Sequence, residues 1–200
     1  MSWAAARRAL RVRLIAQRQA LAPKVHAALS AAVHAALEAR FPPGTVGLVA
    51  GYWPIRGEFD PRPYLIRTLA AGGEVALPVV THRRAALRFR LWTPETPMEA
   101  GPWDTLQPVA SAEATPATLL IPLVGFDAGG HRLGYGGGFY DRTLAALRPR
   151  PLAIGLGFEL GRLASLIPRS HDHPMDVIIT ETGAFEPPRK PGGNSTEPRP

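Results

Sequence analysis

Five short runs of almost unbroken apolar residues, at 46–52, 75–80, 119–124, 152–158 and 177–180, constrain the fold of this chain more than any other feature. A strand with one wet face alternates apolar and polar side chains, because successive side chains point to opposite sides of the sheet. Runs that do not alternate must be covered on both faces. The stretches between them have helical spacing or loop composition, so the strands are joined by crossovers rather than by tight hairpins. The pattern predicts an α/β protein, a three-layer α/β/α domain around a mostly parallel central sheet.

The remaining segments fit around that sheet. Leu10, Leu14, Ile15 and Leu21 form an apolar stripe at helical spacing over residues 4–21, and Pro23 opens a second helix toward Ala39 that Pro42, Pro43 and Gly44 end. Residues 61–71, with Tyr64, Leu65 and Leu69 toward the core, supply the crossover between the first two strands. In residues 85–92 Leu87, Phe89 and Leu91 alternate with arginine, which marks a half-exposed strand at an edge or in a hairpin. Residues 93–118 carry Pro94, Pro97, Pro102, Pro108 and Pro116 and read as a long irregular excursion, a kind of loop that often carries function. One domain over residues 1–186 and a disordered proline-rich tail over 187–200 are expected.

The chain has no cysteine, which excludes disulfides and thiolate zinc sites and agrees with a reducing compartment. Its longest apolar run, residues 119–126, is far short of a bilayer span. A cytoplasmic monomer without a membrane partner is expected. The net charge of +7 raises the question of nucleic acid, and the excess sits at the front: Arg7, Arg8, Arg11, Arg13, Arg18, Lys24 and Arg40 oppose Glu38 alone. Lys24 and Lys190 are the only lysines among 23 basic residues, so the arginine bias reflects genome composition as much as any partner. Charge alone supports nucleic-acid binding, and it is not expected. The same arginine-rich, acid-poor front resembles a transit peptide, a reading that requires Arg7 and Arg11 to be dispensable in the mature protein.

Three constellations carry chemistry. In LGYGGGFYDR, residues 133–142, Gly134, Gly136, Gly137 and Gly138 remove the Cβ atoms from one side of a turn, so that main-chain N–H groups can approach an anion. Phe139, Leu144 and Leu147 then continue as a helix whose N-terminus adds partial positive charge at the same point. The loop matches neither a P-loop nor a GxGxxG turn, and a plain strand-to-helix turn is the competing reading. Arg132 and Arg142 flank it with cationic donors, and Asp141 in the first helical turn could hold magnesium against phosphates or simply pair with the helix terminus. The second constellation is HDHPMD, residues 171–176. Zinc on His171 and His173 would need a further ligand that nothing designates, whereas Asp172 offers hard oxygen to a cation and Asp176 can start or cap the last strand. The third is GYWPIRGEFD, residues 51–60, in which Trp53 offers a flat apolar face and Glu58 a carboxylate, the pair suited to a heteroaromatic ring with amide and amine groups. Core packing of Trp53 and solvation of Glu58 is the alternative, and Trp103 in the excursion is a weaker flat candidate.

Taken in this order, these pieces resemble the 5-formyltetrahydrofolate cyclo-ligases, also called methenyltetrahydrofolate synthetases, over residues 5–182. IPLVGFDAGGHRLGYGGGFYDRTL, residues 121–144, and HDHPMDVIIT, residues 171–180, carry the resemblance. It implies ligase activity in one-carbon metabolism: closure of 5-formyltetrahydrofolate to the 5,10-methenyl form with ATP cleaved to ADP and phosphate in the presence of Mg2+. It further implies that Arg132, Leu133, Gly134, Tyr135, Gly136, Gly137, Gly138, Phe139 and Tyr140 wrap the ATP phosphates, with Arg7 and Arg11 reaching ATP from the first helix. Arg132, Tyr140 and Asp141 are the implied catalytic groups, Asp141 and Asp172 the magnesium ligands, and Trp53, Glu58, Trp103, Tyr135 and Phe139 the folate contacts. Two positions depart from the family pattern: Gly137 and Arg7 stand where lysine is usual. Losing one charge-assisted phosphate contact costs about 1.5–3 kcal/mol. Either an arginine takes over, or the chain is a catalytically altered paralogue that binds folate or nucleotide for another reaction or for regulation.

Overall fold

The computed structural model describes residues 3–188. The chain opens with α1 (Trp3–Gln19) and α2 (Pro23–Arg40), then β1 (Val49–Ala50), α3 (Arg62–Ala70), β2 (Val75–Val79) and β3 (Arg88–Leu91). β4 (Met98–Ala100) and β5 (Leu106–Pro108) form a small hairpin around a 3-10 turn, and β6 (Thr118–Pro122), β7 (Gly125–Asp127), β8 (Arg132–Leu133) and α4 (Phe139–Ala146) follow. β9 (Leu152–Leu156), β10 (Arg162–Leu163), β11 (Val177–Thr180) and β12 (Gly183–Phe185) complete it.

The main sheet has seven strands in the order β12-β11-β9-β6-β1-β2-β3. The five inner strands are parallel, and β3 and β12 close the edges antiparallel. The five apolar runs are the five parallel strands, and both of their faces are dry. Val49, Leu77, Leu120, Ile154 and Val177 point into a core shared with Val33 and Leu37 of α2 and Tyr64 and Leu65 of α3. Ala50, Ala76, Leu119, Ile121 and Ile178 point the other way, toward Leu144 of α4 and Phe126 of β7. The second face is therefore covered by one helix and a three-stranded sheet, β10-β7-β8, rather than by helices alone. α1 lies outside this small sheet, with Leu14 against Val124, Leu133 and Leu166.

The strands are shorter than their apolar runs for identifiable reasons. Gly47 takes a left-handed conformation (φ 67°) ahead of β1. At Gly51, just past it, a Cβ would lie 2.4 Å from the buried Leu65 Cδ1, so glycine lets α3 press onto the strand end. Pro122 has no N–H to continue a ladder, and the chain changes sheets there: Leu123 still donates to Leu156 O, but Val124 donates to Leu133 O. The proline-rich excursion is not wholly irregular, since it contains the β4–β5 hairpin, and the Gln107 side chain accepts from Val80 N–H at 3.2 Å. Of the expected tail, residues 189–200 lie outside the described part, and Pro187, at its start, is buried.

Leu120 sits at the centre of the sheet, 1% exposed. Leu120→Ala is expected to destabilise the protein by about 2–5 kcal/mol. Urea unfolding should show a lower midpoint with an unchanged m-value.

Candidate functional site

The loops after β1 and β8, the carboxyl ends of β2 and β6, the front of α1 and the 169–173 segment surround one cavity of about 1030 Å3. Every site residue that the family resemblance implies lines it, from Arg7 to Asp172. Ligands of parallel α/β sheets sit outside the carboxyl ends of the strands for the same reason: helix N-termini and irregular backbone converge there.

The glycine loop leads into α4, and no acceptor among the described residues takes the N–H groups of 136–138. Gly138, at the helix N-cap, is left-handed (φ 67°), as is Gly136 (φ 94°), where a Cβ would lie 3.3 Å from the Arg11 guanidinium. Arg11 in turn donates from Nε to Gly134 O at 2.6 Å. Burial, and then the charges of Arg7 and Arg8, push the Arg11 guanidinium below its ordinary value. Crowded cations beside unclaimed N–H groups are the chemistry that suits an anion. Arg142 braces the loop from the other side, donating to Gly137 O at 2.9 Å and lying over the Phe139 ring at 5.0 Å. A Cβ at Gly137 would meet that ring at 2.7 Å, so Phe139 occupies the room a side chain there would need. Trp103, 49% exposed and left-handed (φ 59°), stands edge-on to Phe139 with ring centroids 5.3 Å apart.

The two aspartates are held by arginines. Asp141 Oδ1 accepts from Arg132 Nη2 at 2.7 Å and from His173 N–H at 3.2 Å, while Arg132 Nη1 donates to His173 O at 2.9 Å. Asp172 Oδ2 accepts from Arg169 N–H at 2.9 Å and from Arg7 Nη1 at 3.4 Å. Each carboxylate thus keeps its other oxygen clear of backbone donors, and the His173 backbone ties the residue after Asp172 to the Asp141–Arg132 pair. Two hard oxygens beside an anion site fit magnesium, which takes one or two carboxylates and completes its shell with phosphate oxygens and water. No group of three or more His, Cys, Asp or Glu able to hold a metal exists among the described residues, and His171 is exposed, so the 171–176 segment builds no zinc cage. Burial holds the His173 imidazole below its ordinary value. Asp176 accepts from Ala153 N–H at 2.8 Å and pairs with Arg150, which ties the segment to the sheet.

Across the cavity, Trp53 is half-buried against the core and carries the Arg62 guanidinium 4.5 Å from its ring centroid. Glu58 is 5% exposed rather than solvated. Its Oε2 accepts from Ile55 N–H at 2.9 Å and its Oε1 from the Tyr135 hydroxyl at 2.8 Å. Tyr135 belongs to the glycine loop, so the two halves of the cavity meet in this bond. Burial pushes the Glu58 carboxyl above its ordinary value, against the pull of Ile55 N–H, Arg18 and Tyr135. Burial and the Glu58 charge together push the phenols of Tyr135 and Tyr140 upward, so both are donors at neutral pH.

Sequence spacing missed Arg18, which reaches this centre with Nη2 on the Tyr135 hydroxyl at 2.8 Å. Its signal was available: positions 7, 11, 14 and 18 share one helical face, and three of the four are arginine. Trp3, whose ring carries the guanidinium groups of both Arg7 and Arg169 at 4.6 and 3.8 Å from its centroid, was also missed.

A parallel sheet that ends at a cavity lined by glycine N–H groups on one side and a buried carboxylate on the other defines an α/β enzyme with a small-molecule cleft. The comparisons narrow this. The chain belongs to the 5-formyltetrahydrofolate cyclo-ligase family, whose model matches residues 4–181. It is 30% identical to the 5-formyltetrahydrofolate cyclo-ligase of Haemophilus influenzae over 139 residues, 66% of this chain and 74% of that one. The Escherichia coli enzyme of the same name is also 30% identical, over 69% of this chain and 80% of its own. The NMR structure of Aquifex aeolicus 5,10-methenyltetrahydrofolate synthetase superposes with a TM-score of 0.78 at 27% identity, covering 96% of each chain.

The Glu58 environment has a measurable cost. Its folded value lies above its unfolded one, so the stability it contributes is complete below the ordinary value of 4.5 and is lost as pH rises through the raised value. Glu58→Gln is therefore expected to have a thermal midpoint at pH 8 equal to or above that of the wild type. At pH 4 the wild type should regain the difference. A midpoint well below wild type at pH 8 would show that the carboxylate stabilises the fold.

Proposed function

We propose that this chain catalyses the ATP- and magnesium-dependent closure of 5-formyltetrahydrofolate to 5,10-methenyltetrahydrofolate, with release of ADP and phosphate. The observation that carries the reading is the Tyr135–Glu58 hydrogen bond of 2.8 Å, by which the anion-binding loop and the buried carboxylate form one centre. Family membership supplies the reaction class, and the relatives' names supply the substrate.

The formyl oxygen is a poor leaving group. It attacks the γ-phosphorus of ATP, the bond to the bridging oxygen breaks, and ADP departs. N10 then attacks the activated formyl carbon and loses its proton to water or to the departing phosphate as the carbon–oxygen bond breaks. Positioning and charge neutralisation do most of the work in such a transfer. The N–H groups of 136–138 with Arg11 and Arg142 take the phosphate charge, and Arg132 orients Asp141. The Tyr140 phenol, held protonated, donates to an oxygen of the transferring group. Trp53 stacks on the pterin, Glu58 accepts from its N–H edge, and Phe139 and Trp103 close the apolar side. Asp141 and Asp172 would hold magnesium, which neutralises the phosphate oxygens when bound.

The cations at the loop also bear on Gly137. Arg142 reaches Gly137 O and Arg11 reaches Gly134 O, so a cation stands at each end of the loop, which supports an active enzyme in which arginine does the task of the usual lysine. Purified protein with 5-formyltetrahydrofolate, ATP and Mg2+ is expected to raise the absorbance of the methenyl product. Asp141→Asn should lower kcat by about 10²- to 10³-fold, the scale on which loss of one charge stabiliser is felt. No rise at high protein concentration overturns the reading, and calorimetric binding of either ligand without turnover identifies the altered paralogue.

A further inference from the structure

Arg18 is 5% exposed and makes no ion pair among the described residues. A buried guanidinium must satisfy its N–H groups, and this one does so on three segments distant in sequence. Nε donates to Arg56 O at 3.1 Å, Nη1 to Leu123 O at 3.1 Å, and Nη2 to the Tyr135 hydroxyl at 2.8 Å. These are the loop after β1, the end of β6 and the glycine loop. The Arg56 carbonyl sits at a left-handed turn, with φ of 49° at Arg56 and 71° at Gly57, a conformation that a non-glycine residue keeps only when its surroundings hold it.

The order of donors determines the proton. A guanidinium has donors only, so the Tyr135 oxygen must accept from Arg18, which leaves the phenol hydrogen for Glu58 Oε1 at 2.8 Å. Ile55 N–H claims the other oxygen, Oε2. Both Glu58 oxygens then accept, an arrangement that favours the ionised form against the burial that opposes it. We propose that Arg18 is a positioning residue which, through Tyr135, holds Glu58 as an acceptor-only carboxylate toward the cavity and links its state to the seating of the glycine loop. This rests on the reading of Glu58 as the acceptor of the pterin N–H edge. A cation relayed by a neutral phenol offsets part of the burial that opposes ionisation. The other groups facing Glu58 are Arg56 and Tyr52 from its own segment and Tyr140 from α4. The two phenols stay neutral, so Arg18 and Arg56 are the cations that favour the charge.

The test separates the relay from the substrate reading. In protein labelled at the glutamate carboxyl carbons, the Glu58 resonance is titrated by NMR without ligand, with Glu58→Gln assigning the peak. Its midpoint is expected to move to higher pH in Arg18→Gln and in Tyr135→Phe, and to return toward wild type in Arg18→Lys, which restores charge without the forked geometry. Tyr135→Phe leaves the buried cation in place and serves if Arg18→Gln does not fold. An unmoved midpoint in Tyr135→Phe and in every folded Arg18 variant overturns the proposal, because a merely structural arginine would lower the thermal midpoint and leave the titration alone. Calorimetry then uses 5-formyltetrahydrofolate and ATP separately at pH 7. Folate affinity in Arg18→Gln should fall roughly ten- to a hundredfold, and ATP affinity much less. Wild type that binds no folate sinks the reading of Glu58 while the NMR result still decides the relay.

Discussion

The centre of this protein depends on the need of one buried guanidinium for acceptors. Arg18 lies on the last turn of α1, beneath a small sheet, where water cannot satisfy it. Unpaired, it would carry a desolvation penalty of several kcal/mol. Its partners are two main-chain carbonyls and a tyrosine hydroxyl, each at the end of a different segment. Satisfying it therefore brings the post-β1 loop, the sheet-changing turn after β6 and the glycine loop to one point. The cavity is what remains between them.

Charge is distributed around that cavity with a consistent logic. On the loop side, Arg11 and Arg142 bond only to carbonyls, which leaves their charge for an incoming anion. The aspartates are already neutralised by Arg132 and Arg7, so they repel that anion less than bare carboxylates would while keeping oxygens for a cation. On the opposite side a single carboxylate is buried, at a cost in stability, among groups that keep it from solvent. Such an arrangement exchanges stability for a preformed acceptor, as active sites commonly do.

Much of the fold was legible in the chain because it depends on local rules. The five apolar runs became the five parallel strands, Pro23 began α2, and Leu87, Phe89 and Leu91 marked the edge strand β3. Strand ends were misjudged where a glycine or proline interrupts an apolar run, as at Gly47, Gly51 and Pro122, since hydrophobicity reports burial and not ladder continuity. The small sheet covering the second face was not legible either: β7, β8 and β10 are two or three residues long, too short to show a period. In the site, glycine clustering and flanking charge drew attention to residues 132–142, and the geometry places them on one cavity with Trp53, Glu58, Trp103, Arg7, Arg11 and Asp172. Arg18 escaped notice because an arginine on a basic helix looks solvated until the sheet above it is known.

The sequence by itself determined the class of fold and the chemical character of each loop, because apolar periodicity, glycine content and charge act over a few residues. Tertiary structure alone decided which loops meet. The strand order sets β1 between β2 and β6 and brings Arg18 to Tyr135 across 117 positions of chain, and Tyr135 to Glu58 across 77. No local spacing encodes such contacts. They follow from burying both faces of one twisted sheet, and that burial sets a row of arginines on an N-terminal helix against the glycine loop at one end and in a buried hydrogen-bond chain to Tyr135 and Glu58 at the other.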